Sequence, residues 1–393
     1  MSERCATVGV VFSRRALLLG VGASALGAVS GPLPVGSLAT PSPGVALTSA
    51  STTFTAERAA AAEAAVVDRY VGTLWGLPGH ATGLLTWPAP LGARTIGRWC
   101  YWWQAHLLDC AVDAAIREPN TERTKRIRAL AAGIRARNFT GWTNRYYDDM
   151  AWLVLALDRA QGLGADFANP VGQLMSALRA GWSTEVGAVP WRTDDNYYNT
   201  PATGPAGVAF ARTGDLALAE KAAEFLHTRL RDPETGLIAD GIHHPDGRIN
   251  HTRHTYNQGV ALGLYLELAT RTGQSTYLKR IEDLVAAIAE NLTTPHGVIV
   301  GAAGNDEGLF MGILARYLAD VARVCGDTTA AAIVTASAEA AWAHRVDGGD
   351  GHPLFGTEWA RPASMTNAAH RDLSVQLSGW MVLEAHHRMV SSG

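Results

Sequence analysis

Two adjacent aspartates, Asp148 and Asp149, follow the tyrosines Tyr146 and Tyr147 and stand directly before the apolar run 151–157. Burying a carboxylate without a partner is costly, and two neighbouring carboxylates also repel each other. One explanation is structural, because acidic residues at a helix start accept hydrogen bonds from backbone N–H groups and face the positive end of the dipole. The flanking aromatic residues and the motifs described below favour a catalytic pair instead.

A pair of carboxyl groups supplies what cleavage of a glycosidic bond requires. One group donates a proton to the leaving oxygen, and the other attacks the sugar or activates water. Consecutive helical residues point about 100° apart, so Asp148 and Asp149 need the more open geometry of a helix start. There a separation of about 5 Å is reachable, which favours a retaining double displacement. The helix dipole would keep one aspartate ionised as nucleophile, while repulsion and burial would keep the other protonated as general acid.

Helical patterns recur from Thr55 onward, and strand patterns are weak. Turns built on glycine return at intervals of roughly fifty to sixty residues, a period that indicates a repeated helical hairpin. These turns are at Gly164, Gly214, Gly273 and Gly326.

The helices before and after these turns differ in kind. Those before are apolar on every side, as in 152–157, 260–268 and 310–318, whereas those after carry a charged face, as in 220–226 and 277–284. A helix that is apolar all round must be buried all round, and an amphipathic one faces water. The alternation therefore predicts a single-domain, all-α fold, an (α/α)6 barrel with inner helices wrapped by outer ones. The length suits about twelve helices.

If the inner helices run parallel, their N-termini meet at one rim, where the preceding segments carry amides, carboxylates and aromatic rings. A sugar requires this composition, because its hydroxyls take paired hydrogen bonds and its C–H face packs on flat rings. We therefore predict eight substrate-binding residues: Tyr146, Tyr147, Trp191, Asn199, Asp240, Tyr256, Asn257 and Gln258.

The composition indicates a neutral partner. The 393 residues carry a net charge of −3, and charged residues make up 18%, which excludes the basic footprint of a nucleic-acid-binding protein. Twelve tryptophans suit flat, partly apolar ligands. The expected partner is therefore a neutral ligand that is recognised by hydrogen bonds and stacking, such as a sugar. The mature chain is expected to be a monomer without a stable membrane span or a cofactor.

Other clusters predict no further chemistry. Four histidines, at positions 243, 244, 251 and 254, lack the helical spacing of a zinc site and indicate an exposed loop, so no metal is expected. Cys100 and Cys110 on one helix would lie about 15 Å apart, too far for a disulfide, although either could pair with Cys325.

Two further groups on the same helical stretch are assigned structural roles. Trp99, Trp102 and Trp103 are predicted to be core residues, and Asp109 and Asp113 at helical spacing are predicted to form a solvated face.

The N-terminus predicts export. Arg14 and Arg15 form a twin-arginine pattern before an apolar stretch that ends near Val29, and small residues nearby offer cleavage sites. We predict a signal peptide and cleavage region at 1–40, a flexible linker at 41–54, and a barrel domain at 55–390. The protein would then be secreted or extracytoplasmic; an uncleaved membrane anchor is the alternative.

The chain resembles glycoside hydrolase family 76, the α-1,6-mannanases. Five segments carry this resemblance in the family's order and spacing: 138–141, 146–152, 236–241, 255–259 and 310–318. The resemblance implies an (α/α)6 barrel and retaining, endo-type cleavage of α-1,6-linked mannose. It also implies that the partner is a polysaccharide, a mannan or a mannose-containing cell-envelope glycan. It also implies that Asp148 is the nucleophile and Asp149 the acid/base.

The chain departs from the family pattern at three places. Members usually carry Glu where Met150 stands, Trp-Trp where Trp191-Arg192 stands, and Lys-Asn-Ala where residues 198–200 read Tyr-Asn-Thr. These differences keep the aspartate pair but leave the glycan preference open. The alternatives are a transglycosylase, another (α/α)6 carbohydrate enzyme acting on a different α-linked glycan, and a non-catalytic glycan-binding protein.

Overall fold

The computed structural model describes residues 49–93 and 97–391, and twelve α-helices make up most of that part of the chain. In chain order they are α1 (Ser49–Tyr70), α2 (Tyr101–Arg117), α3 (Thr121–Arg137), α4 (Tyr147–Gln161), α5 (Ala168–Ala180), α6 (Thr200–Arg212), α7 (Leu216–Phe225), α8 (Thr255–Thr272), α9 (Ser275–Asn291), α10 (Phe310–Cys325), α11 (Thr328–Ala343) and α12 (Leu373–Ser391).

The even-numbered helices form a closed inner ring. Each packs against the next even-numbered helix, and α12 returns to pack against α2. The odd-numbered helices lie outside, with α3 on α2, α5 on α4, and so on until α1 covers α12. The predicted (α/α)6 barrel is therefore confirmed. Helices α4, α8 and α10 are buried along most of their length, whereas α7 and α9 bury one face, as their apolar patterns indicated.

An outer helix returns the chain after every inner one, so the inner helices run in the same direction and start at one rim. The connections at their opposite ends contain the four predicted turn glycines: Gly164, Gly214, Gly273 and Gly326 have φ of 77°, 91°, 69° and 69°. This left-handed region is open to glycine at little steric cost. The glycine period thus marked the inner-to-outer turns of the barrel.

Short antiparallel strands complete the connections between the helices: β1 (Val71–Thr73), β2 (Ala81–Gly83), β3 (Tyr197–Asn199), β4 (Gly241–His243), β5 (Ile249–Asn250), β6 (Val346–Asp347) and β7 (Pro353–Leu354). In the three-stranded sheet, Gly241 pairs with both Asn199 and Asn250. A Cβ on Gly241 would lie 2.7 Å from the Asn199 Cβ, so this register requires glycine. The sheet joins the connections before α6 and α8.

Three inner helices carry the same clamp at their fourth residue, namely Gln104 in α2, Gln258 in α8 and Gln376 in α12. Each amide donates to the carbonyl and accepts from the N–H of one residue in the preceding connection. The pairs are Gln104 with Gly83 (2.9 and 2.6 Å), Gln258 with Ile238 (2.9 and 2.7 Å) and Gln376 with Phe355 (2.9 and 3.1 Å). The buried amides thus hold outer-to-inner connections against the ring.

The predicted solvated face at Asp109 and Asp113 is wrong. Both residues are buried, with 0% and 4% exposure, because α2 is an inner helix. Arg159 and Arg316 form ion pairs with both aspartates. Arg388 contacts Asp113 at 2.8 Å. The acidic spacing on α2 therefore serves a charge network inside the barrel.

The core assignment of Trp99, Trp102 and Trp103 is confirmed, since all three are buried. The three cysteines that the structure describes are free thiols, with Cys325 exposed. No helix among the described residues is both long and apolar enough to cross a membrane.

The first helix begins earlier than predicted. Helix α1 starts at Ser49, within the range 41–54 that was predicted to be a linker. Residues 1–48, which include the predicted signal peptide, lie outside the described residues.

Candidate active site

The start of α4 positions the aspartate pair at the rim. Tyr146 precedes the helix with an extended backbone (φ −104°, ψ 119°), and Asp148 and Asp149 fall within the first turn. Asp148 is 6% exposed and Asp149 is fully buried. Both carboxyl groups therefore lie at the positive end of a helix dipole, which stabilises a negative charge there.

Asp148 is hydrogen-bonded by a tryptophan that several contacts immobilise. The indole Nε1 of Trp191 donates to Asp148 Oδ2 at 3.2 Å. The Tyr146 ring meets the indole edge-on at 5.3 Å, and the Arg192 guanidinium lies 5.1 Å from its centroid. The carbonyl of Trp191 accepts from the N–H of Tyr147, which ties this segment to the first turn of α4. The indole is thus a pre-positioned donor to one of the two carboxylates.

Asp149 is held by a different donor. The Asn144 Nδ2 group donates to Asp149 Oδ2 at 2.5 Å, while Asn144 Oδ1 accepts from the N–H of Tyr146 at 2.8 Å. Asn144 was not among the predicted site residues. An asparagine side chain often accepts from the N–H two residues further along the chain, so an Asx-turn pattern could have indicated it.

A second polar cluster forms where the three-stranded sheet meets α8. Asp240 accepts from the Tyr197 hydroxyl at 2.6 Å, from Asn250 Nδ2 at 3.2 Å and from Asn257 Nδ2 at 3.3 Å. Burial, together with the charge of Asp240, raises the pKa of Tyr197 well above its usual range, so Tyr197 is a permanent donor. Tyr197 and Asn250 were not predicted, because they reach Asp240 only through strand pairing.

Two buried amide atoms of the predicted site have no protein partner among the described residues. They are Nδ2 of Asn199 and Oδ1 of Asn257. The side-chain oxygen of Asn199, Oδ1, accepts from the N–H of Ala202 and caps α6. Buried polar atoms are usually hydrogen-bonded, so one donor and one acceptor are available here for a hydroxyl-rich ligand or for water.

Three predicted binding residues have structural roles. The Tyr147 ring lies where a side chain on Gly181 would be, 2.2 Å from an ideal Cβ, so it packs on the outer layer. Tyr256 is buried and stacks on Phe310 at 3.9 Å. Gln258 is the clamp on Ile238 described above. Neighbouring residues on a helix point in different directions, so only some residues of each motif can point toward the aspartate pair.

The predicted histidine loop lies beside this cluster. His243 packs on the Tyr197 ring at 4.6 Å, and His244 contacts Glu185 at 3.1 Å. Within residues 49–93 and 97–391, no group of His, Cys, Asp and Glu side chains is arranged to hold a metal ion.

Comparison with solved structures shows which proteins have a similar fold. The α-1,6-mannanase GH76A from Salegentibacter sp. HEL1_6 is 28% identical, with a TM-score of 0.75 over 85% of this chain and 99% of that one. An inactive variant of that enzyme, with two adjacent aspartates replaced by asparagine, was solved in complex with α-1,6-mannotriose. The Lin0763 protein from Listeria innocua is 26% identical, with a TM-score of 0.74 over 85% and 97% of the two chains.

A more distant protein shares the fold alone. Dfg5 from Chaetomium thermophilum, solved in complex with glucosamine, is 17% identical with a TM-score of 0.69 over 88% of this chain and 92% of that one. No curated protein matches the sequence. The sequence model of glycosyl hydrolase family 76 matches residues 54–389. The chain therefore belongs to glycosyl hydrolase family 76.

Proposed function

We propose that the protein is an exported, retaining glycoside hydrolase that cleaves α-1,6-linked mannose within a mannan-type polysaccharide. The observation that carries this proposal is the placement of Asp148 and Asp149 in the first turn of α4, each with its own hydrogen-bond donor. In the Salegentibacter α-1,6-mannanase, the variant with two adjacent aspartates replaced is inactive. At 28% identity, that enzyme supports the same linkage and sugar here.

Asp148 is the proposed nucleophile. It is the more exposed of the two carboxyl groups. Its Oδ2 accepts a hydrogen bond from the indole N–H of Trp191, a group that can only donate and that fixes the direction of the carboxyl group. Asp148 would attack the anomeric carbon and form a glycosyl ester while the bond to the glycosidic oxygen breaks.

Asp149 is the proposed acid and base. It would protonate the departing glycosidic oxygen and then remove a proton from the water that hydrolyses the glycosyl ester. The Asn144 amide holds one of its oxygens and fixes the direction of the carboxyl group. Because the same carboxyl group gives and then takes a proton, it returns to its starting state after each turnover.

The substrate would be oriented by the groups around the pair. Tyr146 and Trp191 supply half-buried aromatic rings beside Asp148. Asn199 and Asn257 supply an amide donor and an amide acceptor for hydroxyls. Asp240 keeps Asn257 in place rather than contacting the reacting bond. This proposed set keeps five of the eight residues predicted from the sequence, with Asp240 in a supporting role.

The decisive test is release of oligosaccharides from linear α-1,6-mannan. Asp148→Asn and Asp149→Asn should each lower kcat/KM by on the order of a thousandfold, because each removes a group that acts only in the transition state. The matched control is Asp283→Asn on the exposed face of α9, which should leave kcat/KM unchanged.

Following the anomeric proton by NMR separates the mechanisms, since retention gives the α-anomer first. Full activity in Asp148→Asn would refute the assignment. Products longer than the starting oligosaccharide would show that the enzyme transfers glycans instead of hydrolysing them.

Export is a separate part of the proposal and rests on the pair Arg14 and Arg15 in the sequence. Replacing both arginines by lysine should leave the precursor inside the cell, because twin-arginine signals are recognised by a receptor rather than by charge alone. Cell fractionation followed by immunoblotting measures this outcome. Secretion at the parental level would reject a twin-arginine signal.

A further inference from the structure

An aromatic pair, the half-buried Trp75 and the exposed Phe139, lies in the connections before α2 and α4. The two rings stack with centroids 5.7 Å apart and planes inclined by 26°. Phe139 is 66% exposed, although it is a large apolar residue. The Arg137 guanidinium lies 5.8 Å from the Trp75 ring. One ring therefore supports another whose surface is open to solvent.

The backbone holds this pair in place at a local cost. Trp75 and Phe139 have φ of 51° and 41°, in the left-handed region that residues with a large side chain rarely adopt. The Asn138 side chain fixes the loop by donating to the carbonyls of Gly141 and Thr143 at 2.7 and 2.9 Å. Strain at two facing aromatic residues shows that their exposed arrangement is imposed by the structure.

The pair is linked to the proposed active site through one short loop. Phe139 is five residues before Asn144, whose amide holds Asp149. Five residues of chain span at most about 18 Å. The pair thus lies on the same side of the barrel as the catalytic rim.

A groove of about 630 Å³ adjoins Phe139. Its wall includes Trp142 and two exposed arginines of α3, Arg128 and Arg135. The arginines are seven residues apart and lie on one face of the helix. Neither has an ion-pair partner among the described side chains, so their donors are available to hydroxyl groups.

We propose that Trp75 and Phe139 form a sugar-stacking platform that binds the same polysaccharide outside the catalytic cleft, with the adjoining groove taking the continuing chain. An exposed ring face suits the apolar C–H face of a pyranose. The proposal rests on the proposed function, because it takes the mannan as the occupant. A long chain held here would be retained near Asp148 and Asp149 between cleavage events.

The test measures binding without turnover. The parental chain for this test carries Asp148→Asn and Asp149→Asn, and its mobility is followed in native gels with and without linear α-1,6-mannan. Adding Phe139→Asn removes the ring, and asparagine tolerates the left-handed backbone, so the chain should still fold. Retardation by mannan should become about three- to tenfold weaker. Adding Phe139→Tyr instead should leave the retardation by mannan unchanged, because the aromatic ring is retained.

Two controls separate this proposal from others. Leu278→Ala removes another exposed large apolar side chain, from α9, and should leave retardation unchanged. In the active enzyme, Phe139→Asn should lower the ratio of kcat/KM on the polymer to kcat/KM on a trisaccharide by about the same three- to tenfold.

Equal retardation of the parental and Phe139→Asn chains would overturn the platform, as would a parental chain that mannan does not retard. If Phe139→Asn halved the molecular mass of the protein measured by light scattering, the platform would be overturned in favour of a contact between two copies of the chain. If the unmutated enzyme released no oligosaccharides but mannan still retarded the parental chain, the result would count against the proposed function alone.

Discussion

The two carboxyl groups of the pair are distinguished by the donors that they meet. Asp148 is bonded by an indole from the connection before α6, and Asp149 by an amide from the connection before α4. Each donor is itself fixed, Trp191 by its contacts with Tyr146 and Arg192, and Asn144 by the backbone. Adjacent residues of one type can therefore perform different steps, because different segments set their surroundings.

The indole donor can be tested by a substitution that keeps the ring. Trp191→Phe retains an aromatic contact for Tyr146 but removes the N–H that reaches Asp148. A hydrogen bond to a charged group contributes about 1.5–3 kcal/mol, so kcat/KM should fall roughly 10- to 150-fold. Initial rates on a defined α-1,6-mannan oligosaccharide measure this change.

The matched control is Trp182→Phe. The Trp182 indole packs edge-on against Phe210 and its buried Nε1 has no partner among the described residues. Removing that N–H should not reduce activity. A similar loss in both variants would mean that general packing, not the bond to Asp148, explains the effect.

At the level of helices, three of the six inner helices carry a polar clamp on the connection that precedes them. Gln104, Gln258 and Gln376 occupy the same position in their helices and lie 21, 20 and 21 residues after their backbone partners. A side-chain amide here forms hydrogen bonds with the N–H and the C=O of one residue, as the backbone of a neighbouring strand would. The barrel thereby holds its connections close to the inner ring without a continuous sheet.

The clamp is tested by Gln258→Met and Gln376→Met, which keep the volume of the side chain. Each change removes the side-chain partner of both the N–H and the C=O of one buried residue, Ile238 or Phe355. The free energy of unfolding should fall by about 2–4 kcal/mol in both variants, measured by urea denaturation. Only Gln258→Met should also raise KM, because its partner Ile238 lies two residues before Asp240.

Loss of stability without any difference in KM between the two variants would show that the Ile238 connection does not position the substrate. Unchanged stability in both would show that water replaces the amide.

The sequence was enough to predict the elements that follow from local patterns. Apolar residues on every side of a helical segment indicated the inner helices, and the turn glycines indicated where those helices end. The Asp240 cluster was only partly predictable, since Tyr197 and Asn250 join it through a strand register between distant segments. Gln258 was predicted to bind the substrate because a sequence motif does not show that its amide bonds the backbone of Ile238.

Asp109 and Asp113 show the same limit over longer distances. Their spacing matched a solvated helix face, but their partner Arg159 lies 50 and 46 residues away and Arg316 lies 203 residues after Asp113. A single helix contains no information about charges that reach it from three other helices.

Across the whole molecule, these charges connect four of the six inner helices. Asp109 and Asp113 of α2 meet Arg159 of α4 and Arg316 of α10, and Asp113 also meets Arg388 of α12. Asp109 lies eight residues into α2, about 12 Å below the rim. Removing one member leaves uncompensated buried charge, so the network favours one arrangement of the ring.

Asp113 is the member whose removal tests the network. Burial alone would raise the pKa of Asp113, but the three arginines outweigh it and hold that pKa well below its usual range. The ionised form thus stabilises the fold above the unfolded pKa of about 3.9, and this contribution is lost as the pH falls below that value. Asp113→Asn should lower the free energy of unfolding by about 3–5 kcal/mol at pH 7. Urea denaturation should show a smaller difference from the parental protein at pH 3 than at pH 7. Asp283→Asn, on the exposed face of α9, should differ little at either pH, and a pH-independent loss in Asp113→Asn would mean that packing rather than charge holds these helices together.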